Sequence, residues 1–354
     1  MKSNKILIGM SGGVDSSVAA FLLQQAGHNC MGATMRLFDR SPDDSDDSVL
    51  ARQVAEKLGI PFQLLDFRRE FESSVIQAFI RSYESGQTPN PCIVCNQTLK
   101  FGHMLRSARD LGCDCVASGH YARIRRDEET GRYLLYKAMD PAKDQSYFLA
   151  CLNQEQLSRI RFPLGELTKQ EVRQIAEENG FLNARKRDSQ DICFVPDGDY
   201  AGFMERHTGK TYCPGNYIDS QGNVLGTHMG AIRYTLGQRK GLGIALGAPA
   251  YVCGKDMERN TVTLGPNEAL FSHGLIAGDW NWYPFPALTE PMEVTAKIRH
   301  SQRQTEATVF PEADGNARVE FREPQRAVTP GQAVVLYHGD LVIGGGTILR
   351  GYTL

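Results

Sequence analysis

Two sets of residues in this chain have types and spacing suited to chemistry. The first is Ser11-Gly12-Gly13-Val14-Asp15-Ser16. Adjacent glycines let a backbone come close to an anion, and Ser11, Ser16 and Ser17 add hydroxyl donors. An apolar run over 6–10 precedes the loop and reads as a buried parallel strand. Val14, Val18, Phe21 and Leu22 follow at helical spacing, so the unpaired N–H groups and positive dipole end of a helix should face the loop. Strand, glycine turn and helix together bind phosphate. The other reading is an ordinary turn with no ligand. There is no Gly-Lys-Ser/Thr and no Gly-x-Gly-x-x-Gly, so the loop is of neither commoner phosphate-binding type.

The second set is three thiols. Cys92 and Cys95 lie in Thr88-Pro89-Asn90-Pro91-Cys92-Ile93-Val94-Cys95-Asn96. Two prolines predict a stiff, extended stretch, with a helix over 97–111 starting just after it. Both cysteines would then sit at or near a helix N-terminus, where the dipole favours thiolate. Cys193 lies in Asp188-Ser189-Gln190-Asp191-Ile192-Cys193-Phe194, polar before and apolar after. It reads either as a buried structural thiol or as a third working one. A zinc site completed by Cys113-Asp114-Cys115 is the alternative. The usual Cys-x2–4-Cys spacing is not met there, and Cys115 falls in an expected buried strand.

The elements that must position these groups follow from patterning. At 354 residues the chain has room for two or three domains. Residues 1–196 alternate strands (28–38, 62–66, 115–117) with helices (48–58, 70–84, 97–111), which predicts an α/β doubly wound parallel sheet. An acidic stretch over 41–47 reads as a surface loop. Residues 197–272 are dense in glycine and proline and read as a small mixed domain. Residues 273–354 show only strand patterns (294–298, 307–310, 317–321, 333–337, 342–349), predicting a closed or partly open β-barrel. The net charge of −2 gives no general attraction to nucleic acid, so any RNA site must be a local patch. Candidates are Arg123-Ile124-Arg125-Arg126, Arg185-Lys186-Arg187, Arg239-Lys240 and Arg299-His300-x-x-Arg303. No apolar run reaches membrane-spanning length, and residues 2–5 are too short and polar a lead-in for a signal peptide. The expected location is the cytoplasm, where nine cysteines are thiols, ligands or catalysts rather than structural disulfides.

The glycine loop resembles that of the ATP pyrophosphatases, which split ATP between its α and β phosphates and pass AMP to an oxygen. Ser11-Gly12-Gly13-Val14-Asp15-Ser16, Thr88-Pro89-Asn90-Pro91-x-x-x-Cys95-Asn96, Ser118-Gly119-His120-Tyr121, Lys143-Asp144-Gln145-Ser146-Tyr147, Ser189-Gln190-Asp191-Ile192-Cys193-Phe194 and Thr235-Leu236-Gly237-Gln238-Arg239-Lys240-Gly241 occur in order along the whole chain. Together they resemble the bacterial tRNA-specific 2-thiouridylases, the tRNA-uridine 2-sulfurtransferases. The resemblance implies an N-terminal domain like the adenine nucleotide alpha hydrolases. It implies that ATP, with magnesium, adenylates O2 of the wobble uridine. A persulfide on Cys193 then delivers sulfur to C2, and Cys95 acts as nucleophile, leaving a Cys95–Cys193 disulfide.

By the same resemblance Gly9, Met10, Ser11, Gly12, Gly13, Val14, Asp15, Ser16, Met35 and Gly119 contact ATP. Asn90, Pro91 and Cys92 meet the target base. His120, Lys143, Asp144, Gln145, Arg299, His300 and Gln332 contact tRNA. A cysteine desulfurase or sulfur relay protein supplies sulfur. Many members carry Asp where this chain has Cys92, so an iron–sulfur cluster on Cys92, Cys95 and Cys193 is an alternative sulfur carrier. An ATP-dependent small-molecule ligase would explain the glycine loop but gives no work to Cys95, Cys193 or the barrel. A zinc-dependent RNA-binding protein is the third reading.

Overall fold

Residues 4–39, 47–184 and 192–353 are described in the computed structural model. The expected loop over 41–47, apart from its last residue, lies outside them. So do Arg185-Lys186-Arg187 and Asp188 to Asp191 of the Cys193 motif.

Strand β1 (Lys5–Gly9) is the centre of the N-terminal part. Leu7 enters the core on one face of the sheet, and Ile6 and Ile8 enter the core on the other. A strand covered by helices on both faces must be apolar throughout, which is why this run does not alternate with polar residues. Helix α1 (Val14–Gln25) follows it, then β2 (Asn29–Arg36), α2 (Asp47–Leu58) and β3 (Phe62–Asp66). With β4 (Cys115–Ser118) and the short β7 (Ile160–Arg161), the parallel sheet has the order β3-β2-β1-β4-β7. The direction of winding reverses between β1 and β4. In open α/β sheets the crevice at the carboxyl ends of such a strand pair is where ligands bind. Val18 of α1, Val54 of α2 and Val172 of α9 (Lys169–Glu178) pack on one face, and Phe79, Leu99, Phe101 and Met104 on the other.

The helix expected over 70–84 begins earlier and is interrupted. It runs as α3 (Arg68–Phe71), a π turn (Glu72–Ile76) and α4 (Gln77–Glu84). A larger correction concerns the cysteine stretch. Helix α5 (Pro91–Cys95) starts six residues before the expected helix, continues through a π stretch (Asn96–His103) and ends as α6 (Met104–Asp110). Pro91 does not hold the chain extended. It occupies the first helical position, where a missing N–H costs nothing and the fixed φ suits the helix. Asn90, with φ −113° and ψ 94°, is the residue that turns the chain in.

Two strands after β4 leave the α/β pattern. β5 (Arg123–Arg126) and β6 (Tyr133–Tyr136) form an antiparallel hairpin. Short helices α7 (Ser146–Leu149) and α8 (Gln154–Ser158) precede β7, and α10 (Tyr200–Thr208) leads into the central region. There β8 (Gly215–Ile218), β9 (Val224–His228), β10 (Tyr251–Asp256) and β11 (Thr261–Gly265) make a sheet of order β10-β11-β8-β9, mixed because β11 and β8 run parallel. The last strands are β12 (Phe271–Trp282), β13 (Met292–Lys297), β14 (Thr305–Pro311), β15 (Ala317–Arg326), β16 (Ala333–His338) and β17 (Leu341–Tyr352). They pair in the order β12-β15-β14-β13-β16-β17, and β12 pairs again with β17, which closes the barrel. Closure removes the exposed edges an open sheet would leave. The β5–β6 hairpin joins this sheet through β6 and β17, at Tyr136 and Leu341. Among the described residues no helix is long and apolar enough to cross a membrane.

Candidate active site

Gly9 pairs with Ser118 across β1 and β4, so the loops after both strands open into one crevice. Gly12 has φ +71°, and a Cβ there would collide with the Asp47 carbonyl, so glycine is required on both counts. Gly13 is the N-cap of α1 with no side-chain cap, and the Ser16 and Ser17 hydroxyls donate to its carbonyl at 3.0 and 3.1 Å. Ser11 N–H donates to Ser16 Oγ at 3.2 Å. The first-turn N–H groups of α1 have no side-chain partner at the cap and are oriented for an anion. Gly119 lies against this turn: a Cβ on it would stand 2.7 Å from the Asp15 carbonyl carbon and the Ser16 nitrogen. Met10 and Val14 are buried beneath the loop. Met10 N–H donates to the Ala33 carbonyl at 2.7 Å, tying the loop to β2, where Met35 is half-buried.

Asp15 sits one residue into α1, and its carboxylate is already engaged. Both oxygens accept from Lys169 Nζ at 2.8 Å, and Oδ1 also accepts from the Tyr121 hydroxyl at 2.7 Å. Three of its roughly four acceptor positions are thus used. Among the described residues no three His, Cys, Asp or Glu side chains are gathered to hold a metal ion. The cation held beside the glycine loop is Lys169, whose side chain is 11 % exposed. Sequence reading missed Lys169. The signal that could have found it is the capping box Thr168-x-x-Glu171, which fixes Lys169 as the first residue of α9. Asn183 adds a second tie, donating to the Gly12 carbonyl at 3.0 Å and to Ser17 Oγ at 2.9 Å.

Cys92 is exposed in the first turn of α5, and Cys95 ends that helix at 7 % exposure. All nine cysteines are free thiols. The expected thiolate at Cys95 does not follow from the helix dipole. Burial pushes its thiol up, with the Lys100 ammonium opposing. Cys193 is accessible, yet the surrounding protein pushes its thiol up to about 11, Cys95 and Cys92 adding to the rise and Lys100 again opposing. These mutual effects place Cys92, Cys95, Cys193 and Lys100 in one electrostatic neighbourhood. Lys100 was not legible in the sequence. Five residues along a regular α-helix it would not share a face with Cys95, but a π stretch with its i→i+5 bonding intervenes. Phe194 anchors the Cys193 segment, meeting Phe71 and Phe79 edge-on at 5.6 and 5.2 Å. Cys92, Cys95 and Cys193 are not arranged as a three-thiol metal site, nor do Cys113 and Cys115, both buried, form one with Cys92 and Cys95.

Several of the residues expected to meet tRNA already serve the fold. Asp144 accepts from Ala138 N–H, Ser146 N–H and the Ser146 hydroxyl at 3.1, 3.2 and 2.8 Å. Gln145 and Tyr121 exchange hydrogen bonds at 2.9 Å. His120 is bonded to Ser118 Oγ at 2.8 Å, and burial holds its imidazole well below the usual range, hence neutral at pH 7. His300 lies over Phe148 with ring centres 4.4 Å apart. Arg299 donates to the Arg326 and Ala327 carbonyls at 2.8 and 2.6 Å. Gln332 reaches back from the barrel to the Thr88 carbonyl at 2.9 Å and the Pro89 carbonyl at 3.3 Å. It therefore supports the segment leading to Asn90, Pro91 and Cys92. Of the basic runs, Arg123 pairs with Asp340 at 2.9 Å and Arg125 with Glu166 at 3.3 Å. Arg239 lies 6.0 Å from the Tyr251 ring.

Three family models match the chain: a tRNA methyl transferase HUP domain over residues 4–197, a tRNA methyl transferase PRC-barrel domain over 201–266 and an aminomethyltransferase beta-barrel domain over 272–348. The chain is 49 % identical to the tRNA-specific 2-thiouridylase MnmA of Acetivibrio thermocellus, over 98 % of this chain and 100 % of that protein. It is 50 % identical to the protein of the same name from Heliobacterium modesticaldum, over 99 % and 93 %. For that from Clostridioides difficile the identity is 48 %, over 98 % of each chain.

Proposed function

The chain belongs to the tRNA-specific 2-thiouridylase family and is a tRNA-uridine 2-sulfurtransferase; from that premise we propose how its own residues carry out the reaction. The substrate position is the wobble uridine, held by Asn90, Pro91 and Cys92. ATP lies along Gly9 to Ser16 with its phosphates at the N-terminus of α1, and Met35 and Gly119 line its site. The uridine O2 attacks the α-phosphorus, and pyrophosphate leaves. This turns a poor leaving group into AMP. Lys169, held at Asp15, is the cation suited to the departing charge.

Sulfur arrives as a persulfide on Cys193, from a cysteine desulfurase or a relay protein. Its terminal sulfur bonds to C2. Cys95 thiolate then attacks Cys193 Sγ, and the S–S bond breaks with its electron pair going to the sulfur on C2. AMP departs and a Cys95–Cys193 disulfide remains, which an external dithiol reduces by two electrons before the next turnover. The observation supporting this reading is the shared neighbourhood of Cys95, Cys193 and Lys100. Lys100 offsets part of the burial that otherwise keeps both thiols protonated. Nothing in the arrangement of Cys92, Cys95 and Cys193 favours the cluster route, and the family-model descriptions that speak of methyl transfer give the thiols no work.

The test combines protein, unmodified tRNA, ATP and a persulfide donor without oxygen, with mass analysis of the nucleosides. Expected are 2-thiouridine and pyrophosphate release that depends on tRNA, and an iron-free Cys92→Asp variant that keeps much of the activity. Pyrophosphate release with small acceptors alone would point to a ligase. Activity that needs bound iron and is lost in Cys92→Asp would replace the persulfide by a cluster.

A further inference from the structure

Helix α9 presents Lys169 to Asp15, and its first turn is fixed from two sides. The capping box joins Thr168 N–H to the Glu171 carboxylate at 2.7 Å and Glu171 N–H to the Thr168 hydroxyl at 3.3 Å. It leaves over the N–H of Lys169 itself, which has no acceptor within the helix. Asp140 takes that N–H on Oδ2 at 2.9 Å. Asp140 Oδ1 accepts from Ala142 N–H at 3.0 Å, and the Asp140 carbonyl accepts from Lys143 N–H at 3.1 Å. One half-buried carboxylate thus ties the start of α9 to the turn over 140–145. Its negative charge also suits the positive end of the helix dipole.

The turn is itself held at both ends. Met139 N–H donates to the Gly165 carbonyl at 2.9 Å. Gln145 Oε1 accepts from Tyr121 N–H, and Gln145 N–H donates to the Tyr121 carbonyl, both at 2.9 Å. The two donors described on Asp15 are therefore backed by one turn, Lys169 through Asp140 and Tyr121 through Gln145. Lys169 is 8 % exposed, and its ammonium stands 2.8 Å from each Asp15 oxygen. A side chain with several rotatable bonds reaches that point from a narrow range of Cα positions, so the footing of the first turn sets where the charge lies. Misplacing such a group by about 1 Å can cost up to about 10²-fold in rate.

We propose that Asp140 is a positioning residue for the splitting of ATP: it fixes the first turn of α9 and, through it, the Lys169 ammonium beside the glycine loop. The proposal rests on the reading of Lys169 as the cation for the departing pyrophosphate. It gives the turn over 140–145 a task besides contact with tRNA.

The test is a double-mutant cycle on pyrophosphate release with ATP and unmodified tRNA, in variants shown by thermal melting to be folded. Asp140→Ala should lower kcat about tenfold and leave KM for ATP and for tRNA within about twofold of the parent's. Asp140→Ser should do the same: its hydroxyl can still serve Ala142 N–H, which preserves the turn, but is too short for Lys169 N–H. Asp140→Asn keeps a side-chain oxygen for Lys169 N–H and should recover most of the loss. In Lys169→Met no charge is left to place, so adding either Asp140→Ala or Asp140→Ser should lower kcat no further. A merely structural contribution would repeat the same loss in both backgrounds. Parental kcat in Asp140→Ala and Asp140→Ser, or an equal loss with and without Lys169, overturns the proposal. Parental kcat in Lys169→Met alone is a different failure: it removes the cation and overturns the reading on which the proposal rests.

Discussion

Lys169 changes what the glycine loop asks of Asp15. From sequence, Asp15 is a carboxylate in a phosphate-binding loop, expected to contact ATP. In the structure it is the anchor of a lysine, with Tyr121 as the second donor. Lys169→Met should slow tRNA-dependent pyrophosphate release about 10²-fold. It should also cost about 2 kcal/mol of stability by leaving a partly buried carboxylate short of its partner, as urea denaturation would register. Unchanged pyrophosphate release would remove Lys169 from the phosphate site. For Cys193, the sign of the pH effect follows from its raised pKa. The reactive thiolate grows with pH until about 11, so carboxamidomethylation of this residue should keep rising beyond pH 10. Lys100→Met should slow it further, because the charge favouring the thiolate is gone. A plateau below pH 9.5 in the parent would contradict the raised pKa. Residue types were legible in the sequence because nucleophiles and glycine turns are local features. Lys169 and Lys100 were not, because their meaning comes from partners brought to them by the fold.

The helix that carries Cys92 and Cys95 is the element whose reading changed most. Two prolines suggested rigidity and extension, but Pro91 is a helix starter, and the helix reaches the thiols six residues earlier than expected. The gain is positional: Cys92 and Cys95 lie on one short helix, followed by the π stretch that carries Lys100. The same segment depends on the barrel at its other end. Gly331 has φ +86°, and a Cβ on it would lie 2.9 Å from Gln87 Cβ and 3.2 Å from Thr88 N. Gly331→Ala should cost about 1–2 kcal/mol through strain and crowding. It should push the segment before Asn90 off the barrel, lowering thiolation while leaving ATP affinity unchanged. Equal thiolation rates for variant and parent would show that the barrel contact does not position this segment. Strand β12 escaped the sequence reading for a related reason. Its glycines look like turn signals, yet Gly274 and Gly278 make room for Tyr352 of β17 and for Asn316, just before β15.

At the scale of the whole molecule, the α/β sheet, the mixed centre and the barrel were legible because each has its own hydrophobic period. How they hold together was not, since contacts such as Tyr136 with Leu341 and Gln332 with Thr88 join residues far apart in sequence. These ties hold the barrel to the N-terminal part. The account rests on both cysteines acting in a single turnover there. Isotopically labelled sulfur loaded on Cys193 of iron-free protein, then mixed with ATP and unmodified tRNA without reductant, gives the direct reading by nucleoside and peptide mass. The account predicts labelled 2-thiouridine matched one for one by a Cys95–Cys193 disulfide, and in Cys95→Ala a label retained on Cys193 with the uridine unthiolated. Labelled 2-thiouridine formed by Cys95→Ala at the parent rate, or without any disulfide in the parent, would contradict it.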